Sequence, residues 1–439
     1  MHKTLWVWFS CLPLVTGRTA EFTLHTFEKR VLTREFWAEG AHAADFNRDG
    51  HVDVVCGPYW YAGPDFATRL AFAPATNQFT RLRPDGSTET VPGFEGALGT
   101  QNAYADVFLT FTWDLNGDGW PDVLHMPHPG LEAWWYENPG RADRPWRRYL
   151  AYDNVEGESP GFADITGDGR PEIVCFSRGF LGYVEVNWQQ PTQTWRFVPI
   201  SPKGEWGRYT HGLGCGDING DGRMDLVEKD GWWEQPGSLE GRPVWRRHPA
   251  TFGRGGAQML VFDVNGDGWN DVVTSLHAHE YGLAWFEQVR VEGRIEWREH
   301  RITGEQPADN PYGVKFSQAH ALAAVDMDRD GLMDFVTGKR FWAHGPTGDP
   351  EPNAPAVLYW FRLVRPAGGK PYFEPHLIDA DSGVGTQVTV TDLNGDGLAD
   401  IVVGNKKGAF VFWHRVRTVS ESEWRAAQPQ PLKRSAESR

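Results

Sequence analysis

A nine-residue pattern rich in aspartate, asparagine and glycine recurs along the chain. It reads D-x-[N/D/T]-x-D-G-x-x-[D/E], and its copies begin at Asp45, Asp114, Asp164, Asp217, Asp263, Asp326 and Asp392. The gaps between successive starts are 69, 50, 53, 46, 63 and 66 residues. A pattern with this period indicates a repeat architecture, and about 50 residues is the size of a four-stranded propeller blade. The sequence therefore predicts an all-β fold, a seven-bladed β-propeller with one such loop in a hairpin of each blade.

The oxygen-bearing side chains of the pattern suit calcium, which takes six to eight oxygen ligands. The glycine at position 6 permits a sharp turn with positive φ. An EF-hand is excluded, because it needs glutamate at position 12, where the first copy has Cys56. The copy at Asp164 carries Thr166 and Glu172, which predicts a weaker site. The predicted ligands are Asp45, Asn47, Asp49, Asp53, Asp114, Asn116, Asp118, Asp122, Asp164, Asp168, Glu172, Asp217, Asn219, Asp221, Asp225, Asp263, Asn265, Asp267, Asp271, Asp326, Asp328, Asp330, Asp334, Asp392, Asn394, Asp396 and Asp400. Asx-rich hairpin turns without metal are the alternative.

The acidity of the chain is concentrated in these loops. The 439 residues carry a formal net charge of −15, and no basic run is interleaved with aromatic residues, so nucleic acid is not an expected partner. Residues 1–20 combine Lys3 with a short apolar core and small residues before position 21. This predicts a secretory signal peptide and a secreted or periplasmic protein, with a buried first strand as the alternative. The apolar core is too short to span a membrane.

Each repeat shows a constant order of strands around its loop. An apolar strand enters the loop, a second strand leaves it, a third is aromatic, as in residues 134–137, and a fourth begins with an aromatic residue. After the strand that leaves the last loop, which begins at Asp392, only one further strand follows. Residues 27–32, by contrast, show the fourth-strand pattern before the first loop. We therefore predict that the N-terminal strand completes the seventh blade and closes the ring. The propeller would cover residues 21–417, and the polar residues 418–439 would form a disordered tail.

These loops and strands resemble the FG-GAP/VCBS class of calcium-binding propeller repeats, which also builds the heads of integrin α-subunits. The resemblance covers roughly residues 22–415. It implies the propeller fold and one calcium ion in each loop. It does not imply a function, because propellers host both binding and catalysis.

The resemblance also implies where a functional site would lie. In this class the loop joins the innermost strand to the second, so residues before the loop and after the second strand face one rim of the central funnel. The candidates for catalysis at this rim are His42, His211, His320, Lys339, Arg340 and His344. His277 and His279, two apart on an expected strand, are candidate ligands for an additional divalent metal in the funnel. For each single histidine, a hydrogen-bonded structural role is the alternative.

Imidazoles grouped with lysine and arginine in a concave site suit proton transfer beside an anion. We therefore expect a carbohydrate lyase or dehydratase that acts on a keto- or oxidised sugar. His320 or His211 would remove the proton, and a second histidine would protonate the leaving hydroxyl. The enolate would be stabilised by Arg340, by Lys339 or by a metal on His277 and His279. The rim is similar to the propeller domain of aldos-2-ulose dehydratases, which also carry cupin domains for which this chain has no room. A non-catalytic module that binds glycan or protein, and a structural calcium-stabilised surface protein, are the alternatives.

Overall fold

The computed structural model describes residues 21–75, 78–82, 85–92 and 104–432. The predicted signal peptide, residues 1–20, lies outside the described residues, as do residues 433–439 of the expected tail. The described part is all-β and antiparallel, which confirms the predicted fold class at that level. No helix within the described ranges is long and apolar enough to cross a membrane.

Strands account for almost all the regular structure. In chain order they are β1 (Phe22–Thr33), β2 (His42–Ala44), β3 (Asp53–Cys56), β4 (Tyr59–Tyr61), β5 (Arg69–Ala71), β6 (Gln78–Leu82), β7 (Thr88–Pro92), β8 (Val107–Trp113), β9 (Asp122–Pro127), β10 (Leu131–Glu137), β11 (Arg147–Ala163), β12 (Glu172–Ser177), β13 (Phe180–Glu185), β14 (Arg196–Pro199), β15 (Leu213–Gly216), β16 (Asp225–Glu228), β17 (Gly231–Glu234), β18 (Arg246–Pro249), β19 (Leu260–Phe262), β20 (Asp271–Ser275), β21 (Leu283–Val291), β22 (Arg294–Thr303), β23 (Leu322–Val325), β24 (Asp334–Gly338), β25 (Leu358–Val364), β26 (Tyr372–Asp379), β27 (Val388–Thr391), β28 (Asp400–Asn405) and β29 (Gly408–Val419). A 3₁₀ turn covers Pro307–Asp309, and helix α1 covers Glu421–Ala427.

These strands form seven four-stranded units in the described part of the chain. Units 1 to 7 are β2–β5, β8–β11, β11–β14, β15–β18, β19–β22, β23–β26, and β27–β29 with β1. The long strand β11 belongs to units 2 and 3, so those two units share one seven-stranded sheet. The hairpin β6–β7 is an insertion between units 1 and 2, which explains the longest gap between loops.

The N-terminal strand completes the last unit, as predicted. β1 pairs antiparallel with β29, from Phe22 opposite Val419 to Thr33 opposite Ala409. The first strand of each unit contacts the first strand of the next, in the order β2, β8, β11, β15, β19, β23 and β27, and β27 contacts β2. Within the described residues no hydrogen-bonded sheet closes on itself. Apart from units 2 and 3, which share β11, the units meet through packed side chains and a few backbone hydrogen bonds, such as that from Met259 N to Leu213 O (3.0 Å).

The strand that leaves each loop is buried along its whole length, because its apolar triplet lies in the middle strands of a unit. Neighbouring units then pack face to face. Val336 and Trp360 of unit 6, for example, share a buried cluster with Val403 and Phe410 of unit 7. Burial of such side chains contributes about 1.5–3 kcal/mol each, so the contact between units is a main source of stability.

Each loop is fixed by its own carboxylates. In the first copy, Asp45 accepts hydrogen bonds from the backbone N–H groups of Asp49 (3.1 Å) and Gly50 (2.9 Å), and Gly50 has the predicted positive φ, 89°. The buried Asp53 accepts the backbone N–H of Phe46 and of Gly63, both at 2.8 Å. The carboxylate at position 9 therefore ties the start of the loop to the third strand of the unit.

The C-terminal segment differs from the expected tail. The predicted boundary at residue 417 falls inside β29, and Ser420 caps α1 by accepting the backbone N–H of Glu423. The ring of Trp424 lies 5.3 Å from that of Phe22, and the backbone N–H of Leu432 donates to Pro311 O at 2.7 Å. The low apolar content of this segment concealed a Ser-x-x-Glu sequence, which is a signature of a helix N-terminus.

Candidate functional site

Three histidines from three units converge at the ends of the units opposite the Asp-rich loops. His211 precedes β15, His279 follows β20 and His320 precedes β23. One ring nitrogen from each lies within 4.8 Å of those of the other two. The ring centroids are 5.0 Å apart for His211 and His279, 4.6 Å for His279 and His320, and 5.7 Å for His211 and His320. We call these three residues the imidazole cluster.

The ring of His320 is oriented so that its Nε2 atom is an acceptor at this cluster. Its side chain is 1% exposed, and its Nδ1 lies 3.2 Å from the carbonyl oxygen of Gln318, a residue with positive φ. Because a carbonyl only accepts, Nδ1 carries the proton and the Nε2 lone pair is left free. Nε2 has no hydrogen-bond partner among the described residues. Burial lowers the pKa of both His320 and His279, so both rings are neutral near pH 7.

A buried ion network lies beneath the cluster. Glu158 Oε2 is 3.6 Å from His211 Nε2 and 3.9 Å from His320 Nε2. Arg340 donates to the same oxygen from Nη1 at 3.0 Å, and to Glu39 Oε2 from Nε at 3.0 Å. Burial alone would raise the pKa of Glu158, but the contact with His211 and the charge of Arg340 lower it to about 2. The carboxylate therefore stays ionised beside the imidazoles.

The two predicted cations do not have the roles expected of them. Arg340 is 2% exposed and is engaged by two carboxylates, and Lys339 is 0% exposed and donates to Ser317 Oγ at 2.8 Å. Burial lowers the pKa of Lys339 to about 8. Both side chains are therefore closed off from solvent. Arg340 holds Glu158 in place through the hydrogen bond from its Nη1 atom.

His344 lies at the open side of the cluster. Its ring centroid is 4.3 Å from that of His279, and its side chain is 45% exposed. Asp349 accepts the backbone N–H of His344 at Oδ2 and contacts the ring Nδ1 at Oδ1, both at 2.9 Å. Asp349 Oδ1 is also 3.4 Å from His279 Nδ1. Burial would raise the pKa of Asp349, but His279 and His344 lower it well below its usual range.

Asp349 and Glu39 were not predicted from the sequence. Asp349 belongs to the long connection between β24 and β25, where no periodic pattern gives its orientation. Its separation of five residues from His344 is the one local signal, since a short loop can fold a carboxylate back onto a preceding histidine.

Two predicted site residues lie apart from the cluster. The Nδ1 atom of His42 is 2.9 Å from Thr112 Oγ1 of unit 2, and burial lowers the pKa of this histidine to about 4. The Nδ1 atom of His277 accepts the backbone N–H groups of His279 (3.1 Å) and Glu280 (3.2 Å). β20 ends at Ser275, so His277 and His279 lie in a turn rather than on one face of a strand. The predicted metal pair is therefore not formed, and only His279 joins the imidazole cluster.

Comparison with known protein families identifies the repeats. A model of the FG-GAP-like repeat matches residues 114–175 and 164–228, and the FG-GAP repeat matches residues 384–410. The chain contains FG-GAP repeats. The matched stretches include the loops that begin at Asp114, Asp164, Asp217 and Asp392, so these four Asp-rich loops belong to FG-GAP repeats. The other three loops share their pattern, and we call all seven the FG-GAP loops.

Solved structures match this chain only at low sequence identity, two of them as follows, and no curated protein matches it. One is the Tc holotoxin pore of Photorhabdus luminescens, which is 15% identical with a TM-score of 0.34. That match covers 83% of this chain, which spans only 18% of the toxin chain. The other is the rhamnogalacturonan lyase YesW, which is 14% identical with a TM-score of 0.39 and coverages of 89% of this chain and 72% of that chain.

The FG-GAP loops offer oxygen donors of the kind that calcium prefers. Among the described residues, the loop with Asp326, Asp328 and Asp334 brings three carboxylate oxygens within 4.8 Å of one another. In all seven loops, that of Asp334 included, the position-9 carboxylate accepts backbone N–H groups, as Asp122 does from Leu115 and Asn138. Calcium binding in these loops stays a prediction, with positions 1, 3 and 5 as the solvent-facing donors.

Proposed function

We propose that the seven units are the blades of a closed β-propeller, and that the rim opposite the FG-GAP loops is the active site of a carbohydrate lyase. The order of contacts between first strands, which returns from β27 to β2, supports the ring. The observation that carries the function is the convergence of His211, His279 and His320 from three units on one point. Concave sites with several convergent polar and titratable groups are the default place for catalysis in a fold of this kind.

The reaction that fits these groups is elimination of water or an alcohol from a keto- or oxidised sugar. His344 Nε2 takes the proton from the carbon next to the carbonyl, because Asp349 holds Nδ1 and leaves Nε2 as the basic nitrogen. The electron pair of the broken C–H bond forms a C=C bond, and the β C–O bond breaks toward oxygen. A protonated His211 gives its proton to that oxygen. The products are an unsaturated sugar and water or an alcohol.

The imidazole cluster also fits a divalent transition metal. Transition metals bind neutral imidazole, and the lowered pKa values of His279 and His320 keep these rings neutral. His211, His279 and His320 would hold the ion, and the buried Nε2 of His320 without a partner among the described residues supports this assignment. A bound ion would stabilise negative charge on the carbonyl oxygen of the sugar. With an ion bound, His211 would be a ligand instead of the proton donor. His344, paired with Asp349, would accept the proton from carbon and pass it to the leaving oxygen.

Calcium in the FG-GAP loops and export from the cytoplasm complete the proposal. The oxygen donors of the loops suit calcium, and millimolar calcium outside the cytosol fills weak sites. The loops lie at the ends of the units remote from the imidazole cluster, so calcium would support the fold and not the chemistry.

A screen for unsaturated product tests the proposal. The protein is mixed with keto-sugars and uronic-acid oligosaccharides, and the ultraviolet absorbance of the new conjugated double bond is followed. We expect product with the wild-type protein, and loss of at least about a hundredfold in rate with His211→Ala. Absence of product from every sugar, with all loops saturated by calcium, would exclude the lyase.

A non-catalytic glycan-binding module is the second candidate, and one observation favours it. Tyr209, two residues before His211, is 52% exposed. Exposed aromatic rings at a rim are typical of sugar-binding surfaces. Binding of a glycan without any unsaturated product would select this alternative.

A further inference from the structure

A rigid turn next to the imidazole cluster presents an arginine and a tyrosine to solvent. Gly207 N donates to Thr210 Oγ1 at 2.9 Å, and Thr210 Oγ1 donates to Gly207 O at 2.9 Å. The turn is also joined to β11, because Gly157 N donates to Arg208 O (2.9 Å) and Glu158 N donates to Thr210 O (3.0 Å). His211 and Glu158 of the candidate site are therefore held directly beside this turn.

The guanidinium of Arg208 forms no ion pair with a carboxylate among the described residues. Its side chain is exposed, its Nη2 lies 3.3 Å from His128 Nδ1, and its Nε donates to Pro129 O. Within the described ranges no acidic side chain pairs with it. Other exposed arginines of the same end are paired, such as Arg254 with Glu280 at 3.6 Å and Arg178 with Asp153 at 3.0 Å.

Tyr209 stands next to this guanidinium. The carbon centre of Arg208 is 5.4 Å from the ring centroid of Tyr209, and the ring meets that of His128 edge to face at 5.7 Å. One edge of the ring is thus supported, while about half of the side chain faces solvent. A supported but open aromatic ring beside an unpaired guanidinium matches a ligand that has both an apolar face and an anionic group.

We propose that Arg208 and Tyr209 bind a carboxylate-bearing sugar, so that the substrate is an acidic sugar and not a neutral one. This inference rests on the proposed lyase site and names its substrate class. Arg208 would form a charge-assisted hydrogen bond with the sugar carboxylate, and the ring of Tyr209 would stack on the pyranose. The pairing has a chemical consequence: a carboxylate must be neutralised before the carbon next to it can lose a proton, because that step adds a second negative charge.

Calorimetric titration of the full chain tests this inference without any need for turnover. The probes are trisaccharides of galacturonate, glucuronate and mannuronate, each compared with its carboxyl-reduced counterpart. We expect at least one acidic probe to bind at least about tenfold more tightly than its reduced form. Arg208→Gln should remove this preference, Arg208→Lys should retain part of it, and the matched control Arg254→Gln should leave it unchanged. Unchanged melting temperatures establish that the variants are folded.

Equal affinity for the acidic and reduced forms, binding that survives Arg208→Gln, or no binding of any acidic probe would overturn the inference. The ultraviolet assay with the same sugars separates it from the lyase proposal. Arg208-dependent binding without product supports the acidic-sugar site and contradicts the lyase. Elimination from neutral keto-sugars at equal rates in the wild type and in Arg208→Gln supports the lyase and contradicts the acidic-sugar site.

Discussion

Arg340 and Glu158 form a buried ion pair, with 3.0 Å between Nη1 and Oε2, although 182 residues separate them in the chain. The same guanidinium reaches Glu39, which precedes unit 1, so one side chain joins unit 6 to units 1 and 3. Its carbon centre also lies 5.3 Å from the ring centroid of Phe108 in unit 2. Arg340 therefore links distant repeats and holds the buried carboxylates of the candidate site in position.

Removal of the Arg340 guanidinium should lower the free energy of unfolding substantially. Arg340→Met leaves two buried carboxylates without their cation, which typically costs about 3–5 kcal/mol. Urea denaturation at pH 7 measures the free energy of unfolding. The exposed Arg254→Met serves as the control and should change it by less than about 0.5 kcal/mol. A loss below about 1 kcal/mol for Arg340→Met would show that the pair does not hold the units together.

The buried His125 should make the protein less stable in mild acid. Burial lowers the pKa of this ring to about 3, against 6.5 in the unfolded chain. Below pH 6.5 the unfolded state therefore binds a proton that the folded state does not, and stability falls as the pH decreases. Between pH 7 and pH 5 this group accounts for about 2 kcal/mol. His125→Phe should remove that part of the pH dependence in urea denaturation, and an unchanged slope would contradict a buried neutral ring.

Buried and exposed carboxylates of the same loop should contribute differently to stability without calcium and to the response to calcium. Asp122 is buried and accepts two backbone N–H groups, so Asp122→Asn should destabilise the calcium-free protein by about 1–3 kcal/mol. Asp118 is exposed, so Asp118→Asn should leave the calcium-free stability unchanged and reduce the rise in Tm that millimolar calcium produces. Melting curves in chelator and in calcium measure both effects. Equal behaviour of the two variants in chelator would contradict the division of roles.

The imidazole cluster should bind one Co²⁺ ion after the FG-GAP loops have been saturated with calcium. The visible absorption of Co²⁺ with nitrogen ligands reports this site and does not report oxygen-only loops. His320→Ala should weaken binding by more than about tenfold, whereas His42→Ala should not change it, because His42 contacts Thr112 of unit 2 instead. Equal titration curves for the wild type and His320→Ala would exclude this metal site.

The repeat pattern made the architecture predictable. Asp-Gly loops followed by apolar triplets give the order of strands within a unit, and the unpaired fourth-strand pattern near Phe27 gives the pairing of β1 with β29. Hairpin geometry also brought His211 and His320 to the same end, since a residue before the loop and one after the second strand must lie at the opposite end of a unit. These features depend on residues that are close together in the chain, so they can be predicted from the sequence.

The details of the site depend on contacts between units, which a single sequence does not reveal. Lys339 and Arg340 were predicted to be accessible cations at the rim, but packing of neighbouring units buries both of them. The predicted strand at His277 is a turn because β20 ends earlier than the pattern suggested. Asp349 lies in the connection between β24 and β25, which is not part of the repeat pattern. Neither periodicity nor loop chemistry in that connection predicts where its side chain points.

The most direct measurement is the kcat/KM of His344→Ala beside that of His248→Ala on one sugar that yields unsaturated product. His344 faces the cluster with Asp349 on its Nδ1, whereas His248 on β18 stacks on Trp232 at 4.0 Å and lies 2.7 Å from Glu234. We predict a loss of at least about a hundredfold for His344→Ala and less than about twofold for His248→Ala. Equal kcat/KM values for both variants and the wild type would contradict the assignment of this rim as a catalytic site.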